Sequence, residues 1–135
     1  MLEKNIEIAS QFLAGLGERR EPSAIAAAFA EDVDFEIPGD VGALPWIGRK
    51  LGRGAVASFI RDLRNLTEPV KFEVLDILAS EARAIIVGEL ATRIKATGKI
   101  VESPFAILLT ISQVGEITNF QMLENSFAVS EAAKI

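Results

Sequence analysis

Leu2, Ile6, Ala9, Leu13 and Leu16 recur at spacings of three and four, the stripe of an amphipathic helix that Gly17 is placed to end. In "EPSAIAAAFAEDV", Pro22 suits a helix start, and Ile25 and Phe29 form the expected buried side of a second helix. The period then falls to two. "VDFEI" alternates Val33, Phe35 and Ile37 with Asp34 and Glu36, the pattern of a half-buried strand stopped by Pro38 and Gly39. "PGDVGALPWIGRKLGRG" is dense in glycine and proline, yet Leu44, Trp46 and Ile47 would not stay in water, so an ordered loop is expected. Val56, Phe59, Ile60 and Leu63 mark a third helix, closed by a turn from Thr67 to Pro69.

From Val70 onward four strands are expected: "VKFEVLDILAS", "RAIIVGELATRIKA", "IVESPFAILLTIS" and "EITNFQMLEN". The links are too short for a parallel return, so these strands run antiparallel. Phe72 and Val74 share one phase and Leu75 and Ile77 the other, which predicts a bulge near Val74. In the third of these strands Ser103 goes with Phe105 and Ile107, while Glu102 goes with Ala106 and Thr110. In the fourth, Gln121, Leu123 and Asn125 share one face, with Phe120 and Met122 on the other. A weak Ala-rich helix, "SFAVSEAAKI", closes the chain. Helices followed by an antiparallel meander give an α+β fold in which a curved sheet wraps helices and leaves an apolar cleft.

Composition narrows the chemistry. At 135 residues, 50% of them apolar, the chain is expected to form a single domain over residues 1–135. It has no cysteine and no histidine, so thiolate chemistry, disulfides and the commonest metal ligands are excluded, and proton transfer falls to carboxylates, lysine or water. Its acids show no clustered spacing, so neither a metal nor a cofactor is expected. A net charge of −5 opposes nucleic acid as a partner. "MLEKNIEIAS" carries charges through what would be a signal core, and no apolar run approaches the ~20 residues that span a bilayer. A soluble cytoplasmic protein without membrane attachment is expected.

"FEIPG…LPWIGRKLGRGAVASFI", "KATGKIVESPFAILLTIS" and "GEITNFQMLENSFAV" together resemble the SnoaL-like polyketide cyclase group of the nuclear transport factor 2-like superfamily, which also holds ketosteroid isomerases. The resemblance covers nearly the whole chain. It implies a cone-shaped half barrel with three helices plugging its mouth, and commonly a homodimer through the outer sheet face. Catalytic-looking members of the group carry arginine, tyrosine, aspartate and histidine where this chain has Gln121, Leu123, Asn125 and Ile107. The isomerase base is missing as well, since Glu36-Ile37-Pro38 stands in place of the group's Glu-Asp-Pro run.

The expected ligand is therefore a small hydrophobic molecule, held in a cleft lined by Ile37, Trp46, Phe59, Phe105, Ile107 and Leu123. Ser103, Gln121 and Asn125 would orient it, because amides and hydroxyls bind without exchanging protons. An aspartate placed at position 125 should then titrate above the free value. The alternative is an enzyme acting on a hydrophobic cyclic carbonyl or hydroxyl compound, with Asn125 or Gln121 polarising oxygen and Asp40 or Glu89 carrying the proton. A third reading is a dimeric scaffold whose pocket is filled by side chains. Arg49 and Arg53 lack the spacing of a phosphate loop and are expected to be solvated or paired with an acid such as Asp40. The homodimer should have Phe120, Met122 and Leu108 near its centre.

Overall fold

In the computed structural model, which describes residues 2–135, the first apolar segment forms α1 (Leu2–Gly17). Its buried face is Asn5, Ala9, Phe12 and Gly15, rotated from the expected stripe, and Leu2 and Ile6 are exposed. Two contacts explain the rotation. The Asn5 amide donates to the Ser80 and Glu81 carbonyls at 2.9 and 3.2 Å, and a side chain at Gly15 would lie 3.0 Å from Ile25. The second helix, α2 (Pro22–Ala26), is shorter than expected, because Phe29 already begins strand β1 (Phe29–Ile37).

The loop after β1 contains a further strand, β2 (Gly48–Leu51), which the sequence did not reveal because "GRKL" has no apolar alternation. It pairs antiparallel with β1 from Asp34 to Ile37. Leu44, Trp46 and Ile47 are buried, as their hydrophobicity demands. Helix α3 (Arg53–Leu66) buries Val56, Phe59 and Ile60 and passes directly into β3 (Thr67–Ala79), so the expected turn is the start of a strand. Thr67 makes this possible, for its hydroxyl donates to the Leu63 carbonyl at 2.6 Å and closes the helix.

Strands β4 (Arg83–Ile94), β5 (Ile100–Ile111) and β6 (Ile117–Leu123) complete the meander, and α4 (Ser126–Ala133) follows. The six strands lie in the order β2-β1-β6-β5-β4-β3, antiparallel except for β1 and β6. The sheet is curved and unclosed. Its inner face holds α1 against β3 and β4 and α3 against β1, with α2 resting on α3. The β3–β4 ladder shifts register between Val74 and Asp76, the bulge that the sequence predicts. Beside it, a side chain at Gly88 would collide with the Glu73 carbonyl, and the Phe105 ring covers the position.

A second bulge inverts the reading of β6. Between the pairs Thr110 with Asn119 and Ile111 with Ile117 the register shifts, so Thr118 is left over and the strand changes phase. Ile117, Phe120 and Met122 consequently face the helices, and Phe120 is only 2% exposed. Gln121 and Leu123 pair with Leu108 and Ala106 on the outer face. Phe120 and Met122 therefore do not lie at the centre of an outer-face dimer; Leu108 alone of the three is on that side.

Candidate functional site

Curvature of the sheet around α1 and α3 leaves a cavity of about 380 Å3 on the inner face. Ile107, Phe120 and Met122 form its floor on β5 and β6, with Leu90, Ile94 and Val101 beside them. Phe12 and Leu16 of α1, Phe59 and Leu63 of α3, and Leu44 and Trp46 of the long loop supply the remaining walls. Trp46 stands edge-on to Phe59, ring centroids 5.8 Å apart, so the loop is anchored by the same residues that line the cavity. The volume falls in the ~300–1,000 Å3 range of small-molecule sites.

Of the residues expected at the cleft, Trp46, Phe59 and Ile107 line this cavity. Ile37 and Phe105 are buried in the core outside its walls, Phe105 stacking on Phe72 at 4.9 Å. Ser103 is buried, and its hydroxyl accepts the Asn125 backbone N–H at 2.8 Å and donates to the Pro104 carbonyl at 2.6 Å. The Asn125 side chain accepts from the Ala128 N–H at 3.0 Å and caps α4. Gln121 donates to Glu36 Oε1 at 3.0 Å on the outer face, where Leu123 is 41% exposed. The two amides and Ser103 thus serve the backbone and the sheet surface and are not among the cavity walls.

Gln121 belongs to a different hollow, about 270 Å3, on the outer face, lined also by Asp34, Glu36, Arg49 and Arg83. Its charges are largely matched. Arg49 makes a two-point contact with Asp34, Nε to Oδ1 at 3.1 Å, and this hydrogen bond holds the Asp34 carboxyl below its usual range. Arg53 donates to the Phe29 carbonyl at 3.0 Å and lies 3.9 Å from Glu116, so neither arginine pairs with Asp40. Asp40 instead accepts the Ser130 hydroxyl at 2.6 Å, and Glu89 faces Lys71 at 3.9 Å, both outside the cavity.

The carboxylate that does open into the cavity is Glu124, in the link between β6 and α4. Burial raises its pKa above the ordinary carboxyl value, because the ionised form loses water there. Among the described residues it has no hydrogen-bond or ion-pair partner. A carboxyl whose pKa is raised by burial is better suited than a solvated one to hold and exchange a proton. The sequence held a signal for it: Phe120, Met122 and Glu124 share alternate positions, and this phase becomes legible once Phe120 is placed inside. Arg19, Arg64 and Lys71 also contribute to the walls and were not anticipated. No helix among the described residues is long and apolar enough to cross a membrane.

Residues 9–120 match the model of the SnoaL-like domain. Among solved structures, an NTF2-like protein from Burkholderia xenovorans LB400 superposes with a TM-score of 0.88 at 24% identity, covering 99% of this chain and 98% of that one. An NTF2-like protein from Burkholderia thailandensis E264 gives a TM-score of 0.80 at 20% identity, with 97% and 98% covered. TerC, co-crystallised with polyporic acid, gives 0.77 at 19% identity, with 96% and 98% covered. No curated protein sequence matches this chain. At these identities the likeness establishes the fold and leaves the chemistry to the site.

Proposed function

Because the chain belongs to the SnoaL-like domain family, a family of isomerases, cyclases and binding proteins, we propose that it binds an apolar small molecule in the cavity beneath Trp46 and Phe59. The observation that carries this reading is the cavity itself: about 380 Å3 of space walled by aliphatic and aromatic side chains. The polyporic acid co-crystallised with TerC supports a small organic ligand for a fold of this kind. Native mass spectrometry of the purified protein, before and after denaturation, tests it. A bound species released on unfolding is expected; a protein that carries no ligand and whose Trp46 fluorescence responds to no apolar compound would sink the reading.

Glu124 favours a second reading, catalysis on a hydrophobic carbonyl or hydroxyl compound, with this carboxyl as the proton carrier in place of Asp40 or Glu89. Glu124→Gln keeps the size and one hydrogen-bond donor but exchanges no proton. Retained ligand binding with lost turnover would support catalysis, and full turnover in the variant would exclude that role. We further propose that two copies pair through the apolar half of the outer sheet face, where Leu78 is 51% and Leu123 41% exposed beside half-buried Ile85, Val87 and Leu108.

A further inference from the structure

Positive charge at the cavity mouth exceeds what its neighbours neutralise. The exposed lining residues Gly17, Arg19, Pro69, Lys71 and Phe72 place the opening between the end of α1 and the first half of β3. Arg19 has φ of 54°, the left-handed region that a side-chain-bearing residue occupies at a cost, and its guanidinium has no partner among the described residues. Arg64, in the last turn of α3, donates to backbone carbonyls only, those of Arg20 and Gly15. Partial burial and the adjacent Arg19 charge both disfavour its protonated form, and Glu21 opposes them as the smallest of the three effects. Lys71 has Glu89 at 3.9 Å, a loose and exposed pair.

Resting on the binding reading above, we propose that the ligand is an apolar acid, its carboxylate, enolate or phenolate head seated at Arg19 and Arg64 and its body directed toward Trp46. A neutral ligand would leave two crowded cations at an apolar opening, and a cationic one would add to their repulsion. An anion satisfies guanidinium donors that protein groups leave free. Burial raises the Glu124 pKa and so weakens the opposition of that carboxyl to an anionic ligand.

Two probes isolate the head group. 8-Anilinonaphthalene-1-sulfonate and N-phenyl-1-naphthylamine share an arylamine body, and only the first carries a sulfonate. Each is titrated into the wild type, Arg19→Gly and Arg64→Gln, reading quenching of Trp46, the one tryptophan, alongside probe emission. Arg19→Gly removes the charge while giving the backbone a residue suited to its φ, so it should fold at least as well as the wild type. The anionic probe should bind the wild type more tightly, and Arg19→Gly should weaken it about fivefold with the neutral probe unchanged. Arg64→Gln should lower anion affinity as well. Equal affinities for the two probes, or equal losses in Arg19→Gly, would overturn the acidic head group and leave the apolar cavity reading intact. Failure of both probes to quench Trp46 would overturn both.

Discussion

Phe120 lies face to face on Phe35, their ring centroids 4.9 Å apart and their planes 7° from parallel. Phe12, Phe29 and Phe59 also meet the Phe120 ring, so β6 is held against β1, α1 and α3 by one side chain. Phe120→Ala is expected to lower stability by about 3–5 kcal/mol, the cost of a buried aromatic plus the void left behind. Urea unfolding measures it. A loss below about 1 kcal/mol would mean that the ring is not enclosed on the inner face.

Glu124 gives stability a specific pH dependence. Its carboxyl binds a proton more tightly in the folded chain than in the unfolded one, so its contribution is fully favourable below the ordinary value near 4.5 and is lost as pH rises through the raised folded value. Glu124→Gln should therefore gain on the wild type across that window and lose the advantage in more acidic solution. Thermal midpoints of the two proteins at a series of pH values decide this. A difference that does not vary with pH would place Glu124 in water.

Gly88→Ala should be among the most damaging conservative changes. The added carbon would collide with the Glu73 carbonyl, which belongs to the facing backbone and cannot swing aside, and would lie 2.8 Å from the Phe105 ring. A loss of about 3 kcal/mol is expected, the upper part of the range for overpacking. Stability within about 0.5 kcal/mol of wild type would show that β3 moves freely at its bulge.

Trp46, Phe59 and Ile107 were legible in the sequence because each is a large apolar residue in a segment whose period, or whose aversion to water, fixes its side. Gln121 and Leu123 were not, because their face depends on Thr118, a residue that drops out of the ladder without any local mark such as glycine or proline, and Asn125 lies past the end of the strand as the cap of α4. One skipped residue exchanged the two faces of β6, hid Glu124 and gave the dimer surface two core residues. Strand β2 escaped for a different reason. Its four residues pair through the backbone, and the pattern of half-exposed to exposed side chains carries no burial signal.

The cap at Asn125 reverses the titration first expected there. Since the side chain is an exposed acceptor at the start of α4, Asn125→Asp should keep the hydrogen bond to Ala128 and remain ionised, favoured by the helix N-terminus. Its pKa by carboxyl NMR titration should fall at or below the free value. Asn125→Ala should cost about 1 kcal/mol. A raised pKa at position 125 would contradict the exposed cap.

For the proposed dimer, Leu108→Lys places a charge in the apolar half of the outer face, opposite Ile85 on β4 and Gln121 on β6. Sedimentation at micromolar protein is expected to give a dimer for the wild type and a shift toward monomer for the variant. Met122→Lys should instead unfold the chain, because Met122 faces the cavity. A monomeric wild type with the native fold would remove this interface.

The hydrogen bond from Gln121 to Glu36 joins positions 85 residues apart, across the same pair of strands that brings Phe35 to Phe120. The hairpins from β3 to β6 can close over short loops, whereas docking β1 beside β6 must gather most of the chain and waits on a larger loss of entropy. The floor of the cavity is therefore expected to form before its walls, which come from α1, the long loop and α3 in the N-terminal half of the chain. A molecule held in the finished chamber should then act mainly on the escape from the native state, slowing unfolding while leaving the rate of refolding almost untouched.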